Sequence, residues 1–210
     1  MLGHRGFDLW ADGYDRDVEE TDAADAYPFA GYRAVLGRVY QAVRARVRAG
    51  SVLDIGCGTG TVLRRLHADG YHVTGLDFSQ RMIALARERI PGAEFIRCDF
   101  ARGLPDALAG RAFDAIISTY ALHHLEEERH AAFIRMLVSR LSPGGILAVG
   151  DISFRTRAER DALADAEGEA WDGAEHYFAY DALSESLKMP SGYEKLSVCA
   201  GVLTLRRPSA

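Results

Sequence analysis

The chain is poor in cysteine and proline and has no long apolar run, and each shortage excludes something. Three cysteines, Cys57, Cys98 and Cys199, stand far apart among 210 residues. They form no C-x-x-C pair, and an odd, scattered set is no disulfide framework. Reduced thiols and a cytoplasmic location are the expectation. No stretch of about 18 apolar residues occurs, so no membrane-spanning helix is expected. The opening "MLGHRGFDLWADGYD" has early aspartates and no apolar core, and does not read as a secretory signal. Positive charge is also short: 25 Lys and Arg against 30 Asp and Glu leave −5. Broad nucleic-acid binding normally shows as a basic patch, so nucleic acid is not an expected partner. What remains is ordinary globular sequence, and its length suits a single domain over 1–210 with a full core.

What is present is an alternation. Residues 32–48 carry Val35, Leu36, Val39, Val43 and Val47 at helical spacing. "SVLDI" (51–55) is β-rich and ends at Gly56. Residues 61–68 read as a helix that Gly70 stops. "HVTGLD" (72–77) is a second strand, and Ser79 is placed to cap a helix carrying Met82, Ile83 and Ala86. Pro91-Gly92 ends that helix. "AEFIRCD" (93–99) and "FDAIIST" (113–119) are the third and fourth strands. Residues 126–141 form a helix with an acidic start, followed by Pro143-Gly144-Gly145 and a fifth strand, "ILAVGDI" (146–152). Such alternation predicts an α/β fold with a doubly wound, mostly parallel sheet. "GYEKLSVCAGVLTLRR" (192–207) has two β-rich runs broken at Ala200-Gly201, which predicts an antiparallel C-terminal hairpin and seven strands in all. Residues 1–31 and 153–191 stand outside the alternation.

The glycines carry the chemistry. The pattern Asp54-x-Gly56-x-Gly58-x-Gly60 gives a tight turn whose bare backbone can approach a ligand. A nicotinamide dinucleotide fingerprint needs its third glycine three residues after the second. Here that position is Thr61. Asp54 would repel a pyrophosphate and welcome a cation such as the ammonium of an amino-acid-like ligand. That favours S-adenosylmethionine over a nicotinamide cofactor.

"VLDIGCGTG" resembles the glycine-rich motif of class I S-adenosylmethionine-dependent methyltransferases. "VTGLDFSQRMIALA" (73–86), "IRCDF" (96–100), "FDAIISTYALHHL" (113–125) and "LSPGGILAVGD" (141–151) resemble the family's later motifs, in order, across residues 50–152. "FDLWADGYD" (7–15) is similar to the start of small, uncharacterised bacterial members. The resemblance implies a Rossmann-like methyltransferase fold with an antiparallel last strand, S-adenosylmethionine as cofactor and S-adenosylhomocysteine as product. It implies cofactor contacts at Tyr14, Asp54, Gly56, Cys57, Gly58, Gly60, Asp77, Phe78, Met82, Asp99, Phe100 and Thr119. Asp77 would accept from both ribose hydroxyls, since a carboxylate suits a vicinal diol. Asp99 would accept from the adenine amino group, with the Phe100 N–H on a ring nitrogen. Phe78 and Met82 would line the adenine slot, Tyr14 would close over the methionine end, and Cys57 would fill space.

Methyl transfer is an in-line displacement, so alignment and exclusion of water supply much of the acceleration. A base is needed only where the acceptor must lose a proton. His123, His124, Tyr14 and Asp151 are the candidates. The adjacency of His123 and His124 is expected to point their rings apart, so no metal is expected. "STYALHH" lacks the proline-proline-aromatic run of base-amine methylating relatives, and no cysteine follows the fourth strand. A small-molecule acceptor is the expectation. His124, Asp151, Trp171 and Tyr177 are candidate substrate contacts, with 153–191 as a lid that Tyr27, Phe29 and Tyr32 could join. The alternatives are a non-catalytic S-adenosylmethionine-binding regulator or subunit and a nicotinamide-dependent reductase. A monomer or homodimer is expected.

Overall fold

The computed structural model describes residues 26–209. Tyr14 and the rest of 1–25 lie outside the described residues. The first element, α1 (Tyr32–Arg46), buries Val35, Leu36, Val39, Ala42 and Val43, the stripe its spacing predicts. Five strands and four helices follow, with no α-helix between the third strand and the fourth: β1 (Ser51–Ile55), α2 (Thr61–Ala68), β2 (His72–Asp77), α3 (Gln80–Arg89), β3 (Glu94–Arg97), β4 (Phe113–Thr119), α4 (Glu127–Ser139), β5 (Leu141–Phe154) and α5 (Arg157–Glu167). The chain ends in β6 (Phe178–Ala179), α6 (Tyr180–Leu187), β7 (Ser191–Lys195) and β8 (Ala200–Arg206). Ser79 caps α3 as expected, its side chain accepting from the Met82 N–H.

The strands form one sheet in the order β3-β2-β1-β4-β5-β8-β7, and the two-residue β6 pairs with the end of β5. β1 to β5 are mutually parallel. β8 runs antiparallel to both β5 and β7. Seven strands, mostly parallel with an antiparallel C-terminal pair, match the expectation, and β6 adds an eighth.

Among the boundaries that differ from the sequence reading, two have a clear physical reason. β5 starts at Leu141, before Pro143-Gly144-Gly145, because that trio forms an irregularity within the strand. Phe113 faces Leu141 but Ala115 already faces Ile146, so the extra residues loop out opposite one position of β4. The hairpin turn lies at 196–199, and Ala200 and Gly201 belong to β8. Leu196 and Ser197 N–H groups close that turn on the Ala200 carbonyl. Gly201 instead makes room for a ring: a Cβ there would sit 2.4 Å from the Tyr193 hydroxyl oxygen.

Successive residues of the central strands pack against opposite layers. Val52, Ala115, Ile117, Ala148 and Val202 face α1, α2 and α3, whereas Leu53, Ile55, Ile116, Leu147 and Leu203 face α4 and α6. Burial on both faces explains why these strands read as continuous apolar runs. Each fully buried aliphatic side chain contributes roughly 1.5–3 kcal/mol. The sheet so fixed presents the carboxyl ends of β1, β2 and β4 side by side, at the switch point where strand order reverses.

Candidate active site

β1 ends at Ile55, and the loop beyond it carries glycines in left-handed conformation, Gly56 at φ 71° and Gly58 at φ 51°. At Gly56 the need is also steric, since a Cβ would lie 2.4 Å from that of Ala121. At Gly58 a Cβ would meet nothing within 4 Å, because this glycine borders open space. The loop is pinned by Cys57 N–H to the Leu76 carbonyl at 2.8 Å. It is pinned again by the Asp77 carboxylate, whose Oδ2 accepts from Gly58 N–H at 2.8 Å. Asp77 Oδ1 accepts from Ser79 N–H at 2.9 Å.

Around this loop lies a cavity that opens to solvent. Its wall joins Gly56, Cys57, Gly58, Asp77, Phe78, Met82, Phe100, Thr119 and His124. Tyr32 and Leu36 of α1 and Tyr120 and Ala121 after β4 complete it. Tyr32 and Tyr120 pack ring on ring at 4.9 Å, with Phe29 edge-on to Tyr32 at 6.0 Å. Beneath the loop, Asp54 is 1 % exposed and its Oδ1 has no partner among the described residues. Burial, then the nearby Asp77 charge, pushes the Asp54 carboxyl well above its usual range. Burial also raises the Cys57 thiol, which keeps it protonated and inert.

At the far end of the wall, the turn after β4 carries two histidines. The Leu122 N–H donates to Asp151 Oδ2 at 2.9 Å, and His123 Nδ1 meets Asp151 Oδ1 at 2.5 Å. His124 Nδ1 meets Glu175 Oε2 at 2.8 Å. The segment bearing Glu175 is tied down again by His176 N–H on the His123 carbonyl at 2.8 Å. Contrary to the sequence reading, the adjacent rings do not point apart. They pack edge to face with centroids 4.2 Å apart, because the short 3₁₀ turn Leu122–His124 brings both to one side. One donor atom each from His123, His124 and Glu175 lies within 4.8 Å of the others, a grouping able to hold a metal ion. Burial opposes a charge on His123, but the Asp151 carboxylate outweighs it and raises the pKa. Burial and the neighbouring His123 lower that of His124.

A sequence model of the methyltransferase domain matches residues 52–145. An uncharacterised methyltransferase of Alkaliphilus oremlandii is 33% identical over 158 residues, covering 75% of this chain and 70% of the relative. The chain belongs to the class I S-adenosylmethionine-dependent methyltransferases. A trans-aconitate 2-methyltransferase of Paracidovorax citrulli is 37% identical over 133 residues, 56% of this methyltransferase and 50% of that one. Among solved structures, the DhpI-SAM-HEP complex superposes with a TM-score of 0.70 at 24% identity, covering 96% of this chain and 94% of that one. That likeness concerns the fold.

The methyltransferase's structure sorts the residues singled out from sequence. Gly56, Cys57, Gly58, Asp77, Phe78, Met82, Phe100, Thr119 and His124 meet on the cavity wall. Gly60 borders the adjoining depression, which Arg33, Arg64, Arg65 and Arg89 line. Asp99 stands beside the cavity wall at Phe100, with Oδ1 accepting from Ala101 N–H at 3.1 Å and Oδ2 3.2 Å from Arg102. His123 and Asp151 are buried behind His124. Trp171 and Tyr177 are not on the wall. Trp171 stacks on Tyr27 at 5.2 Å, and the Tyr177 hydroxyl bonds that of Tyr27 at 2.8 Å. Several wall or near-wall residues escaped the sequence reading, Tyr120 and Glu175 among them. Tyr120, at φ 50°, follows β4 directly, so its place after the strand end was a usable signal. Glu175 gave none, since it reaches His124 across 51 residues.

Proposed function

We propose that this methyltransferase holds S-adenosylmethionine in the glycine-loop cavity and passes its methyl group to a small-molecule acceptor at the His124 end. The observation that carries this reading is the Asp77 carboxylate, which braces the bare loop at Gly58 while lining the same cavity. The residues fit the cofactor. Gly58 leaves open space where a side chain would stand, and the buried, unpartnered Asp54 Oδ1 sets a hydrogen-bond acceptor beneath the loop. When bound, the cofactor supplies an electrophilic methyl group on a sulfonium.

The remaining roles belong to the chain. Asp77 accepts from the ribose hydroxyls, a vicinal diol that the two oxygens of a carboxylate suit. Phe78, Met82 and Phe100 form the slot for the adenine ring, with Asp99 at its edge. The Asp54 carboxyl favours the ammonium of the methionine part, a hydrogen-bond donor, over any phosphate. Tyr32, Tyr120 and Ala121 cover the cavity and exclude water, which strengthens polar contacts inside it. His124, kept neutral by burial, presents an imidazole to the acceptor. A small acceptor accords with the trans-aconitate 2-methyltransferase among the relatives. It accords also with the enclosed wall of aromatic and apolar side chains.

Thermal unfolding against S-adenosylhomocysteine, S-adenosylmethionine and NADH tests the reading. A ligand at 100 times its dissociation constant adds about 2.7 kcal/mol, or about 5–10 °C for a chain of this size. Both adenosyl ligands are expected to give that shift, NADH none, and Asp77→Ala to abolish it. A shift with NADH alone would overturn the assignment. Release of S-adenosylhomocysteine with small organic acids then separates an enzyme from a binding module.

A further inference from the structure

The pairing of two buried carboxylates with two adjacent histidines exceeds what cofactor binding requires. Asp151 is fully buried and the Glu175 side chain is 10% exposed. Their ion-pair partners are histidines, and neither meets a lysine or arginine among the described residues. We propose that His123, His124 and Glu175 form a binding site for one divalent transition-metal ion of the zinc kind at the acceptor end of the cavity.

The donor set is two imidazoles and one carboxylate, which suits zinc and its first-row neighbours and leaves a coordination position open. The three donor atoms already stand within 4.8 Å of one another, so closing on an ion takes a contraction of about an ångström. The surroundings are those of an oriented ligand. A metal-binding histidine typically gives its other ring nitrogen to a carboxylate, which fixes ring and tautomer. His123 does this, with Nδ1 on Asp151 Oδ1, which leaves Nε2 as the nitrogen to coordinate an ion. Asp151 is itself fixed, accepting from the Leu122 and Ile152 backbone N–H groups at 2.9 and 2.8 Å. The turn is held from behind, with His130 Nε2 3.1 Å from the Leu122 carbonyl oxygen.

His124 also lines the cavity, so the open position faces the acceptor. The substrate class that fits carries an oxygen donor beside its methylated atom. This last step rests on the proposed cofactor site; the metal site itself does not.

The test uses tag-free full-length chain, stripped with a chelator and titrated with Co²⁺ alone, without cofactor. Calorimetry and the visible ligand-field spectrum are expected to show one equivalent bound and displaced by Zn²⁺. Glu175→Gln and His124→Gln are each expected to weaken binding at least tenfold, and Asp151→Asn 10–100-fold. The exposed His72→Gln is the control that leaves binding unchanged. Circular dichroism establishes that each variant folds, and Glu175→Gln carries the test should Asp151→Asn fail. Absence of saturable one-equivalent binding would overturn the proposal. So would equal binding by wild type and the Glu175→Gln and His124→Gln variants, which would assign the metal to surface histidines. Loss of the S-adenosylhomocysteine shift with intact Co²⁺ binding would instead count against the cofactor reading alone.

Discussion

Gly56 and Gly58 share a left-handed backbone and stand two residues apart, yet they do different work. Gly56→Ala combines backbone strain with a clash on Ala121, and is expected to destabilise the protein by about 2–4 kcal/mol. Gly58→Ala has room, so only the left-handed backbone is opposed, at about 1–2 kcal/mol. Its methyl group would enter the cavity, so S-adenosylhomocysteine binding is expected to fail although the protein folds. Urea unfolding and calorimetry on the two variants separate the effects; equal stability losses would contradict the geometry. Asp54 shows the opposite bargain, a residue that weakens the fold to serve a site. Its carboxyl is raised by burial first and by the Asp77 charge second. A raised acid contributes stability that is full below its unfolded pKa and lost as pH rises through the folded one. Asp54→Asn is therefore expected to be more stable than wild type at pH 8, with the gain shrinking toward pH 5. Stability curves at the two pH values check the sign. The same variant should bind S-adenosylmethionine more weakly.

At the scale of elements, the aromatic segment after α5 acts as a clamp. Trp171 and Tyr177 pack edge to face at 5.0 Å, and both engage Tyr27. Tyr177→Ala is expected to cost about 3 kcal/mol, because a 3 % exposed ring leaves a void, while cofactor affinity changes little. A large loss of affinity with unchanged stability would return these rings to the cavity. This segment also shows where sequence stops being readable. The strands of the alternation were legible because period and turn residues act locally; "HVTGLD" and "FDAIIST" have the bounds of β2 and β4. Pro143-Gly144-Gly145 misled because a turn signal and a strand irregularity use the same residues. Ala200-Gly201 misled because a glycine demanded by the Tyr193 ring resembles one demanded by a turn. The site divides in the same way. Residues of the glycine loop and of the β2 end are adjacent in sequence and were found. The union of His124 with Glu175 depends on a long connection returning, which no local pattern encodes.

Taken whole, the molecule hangs its chemistry on one strand. β5 is 14 residues long and is bonded on one side to β4 and on the other to β8. Asp151 follows the doubly paired stretch directly and is still paired with Gly201 of β8. Glu175 lies on a connection whose backbone bonds include only scattered ones, from Trp171, Glu175 and His176. Native-state amide exchange should therefore be slowest at residues 146–152 and orders of magnitude faster at 168–175. Uniform protection across both would contradict the pairing pattern. The consequence reaches beyond stability. His123 and Asp151 share the lifetime of the global fold, whereas Glu175 shares the lifetime of a surface excursion. Whatever occupies the histidine end can thus come and go through the brief openings of one connection, on a clock that the rest of the protein does not feel.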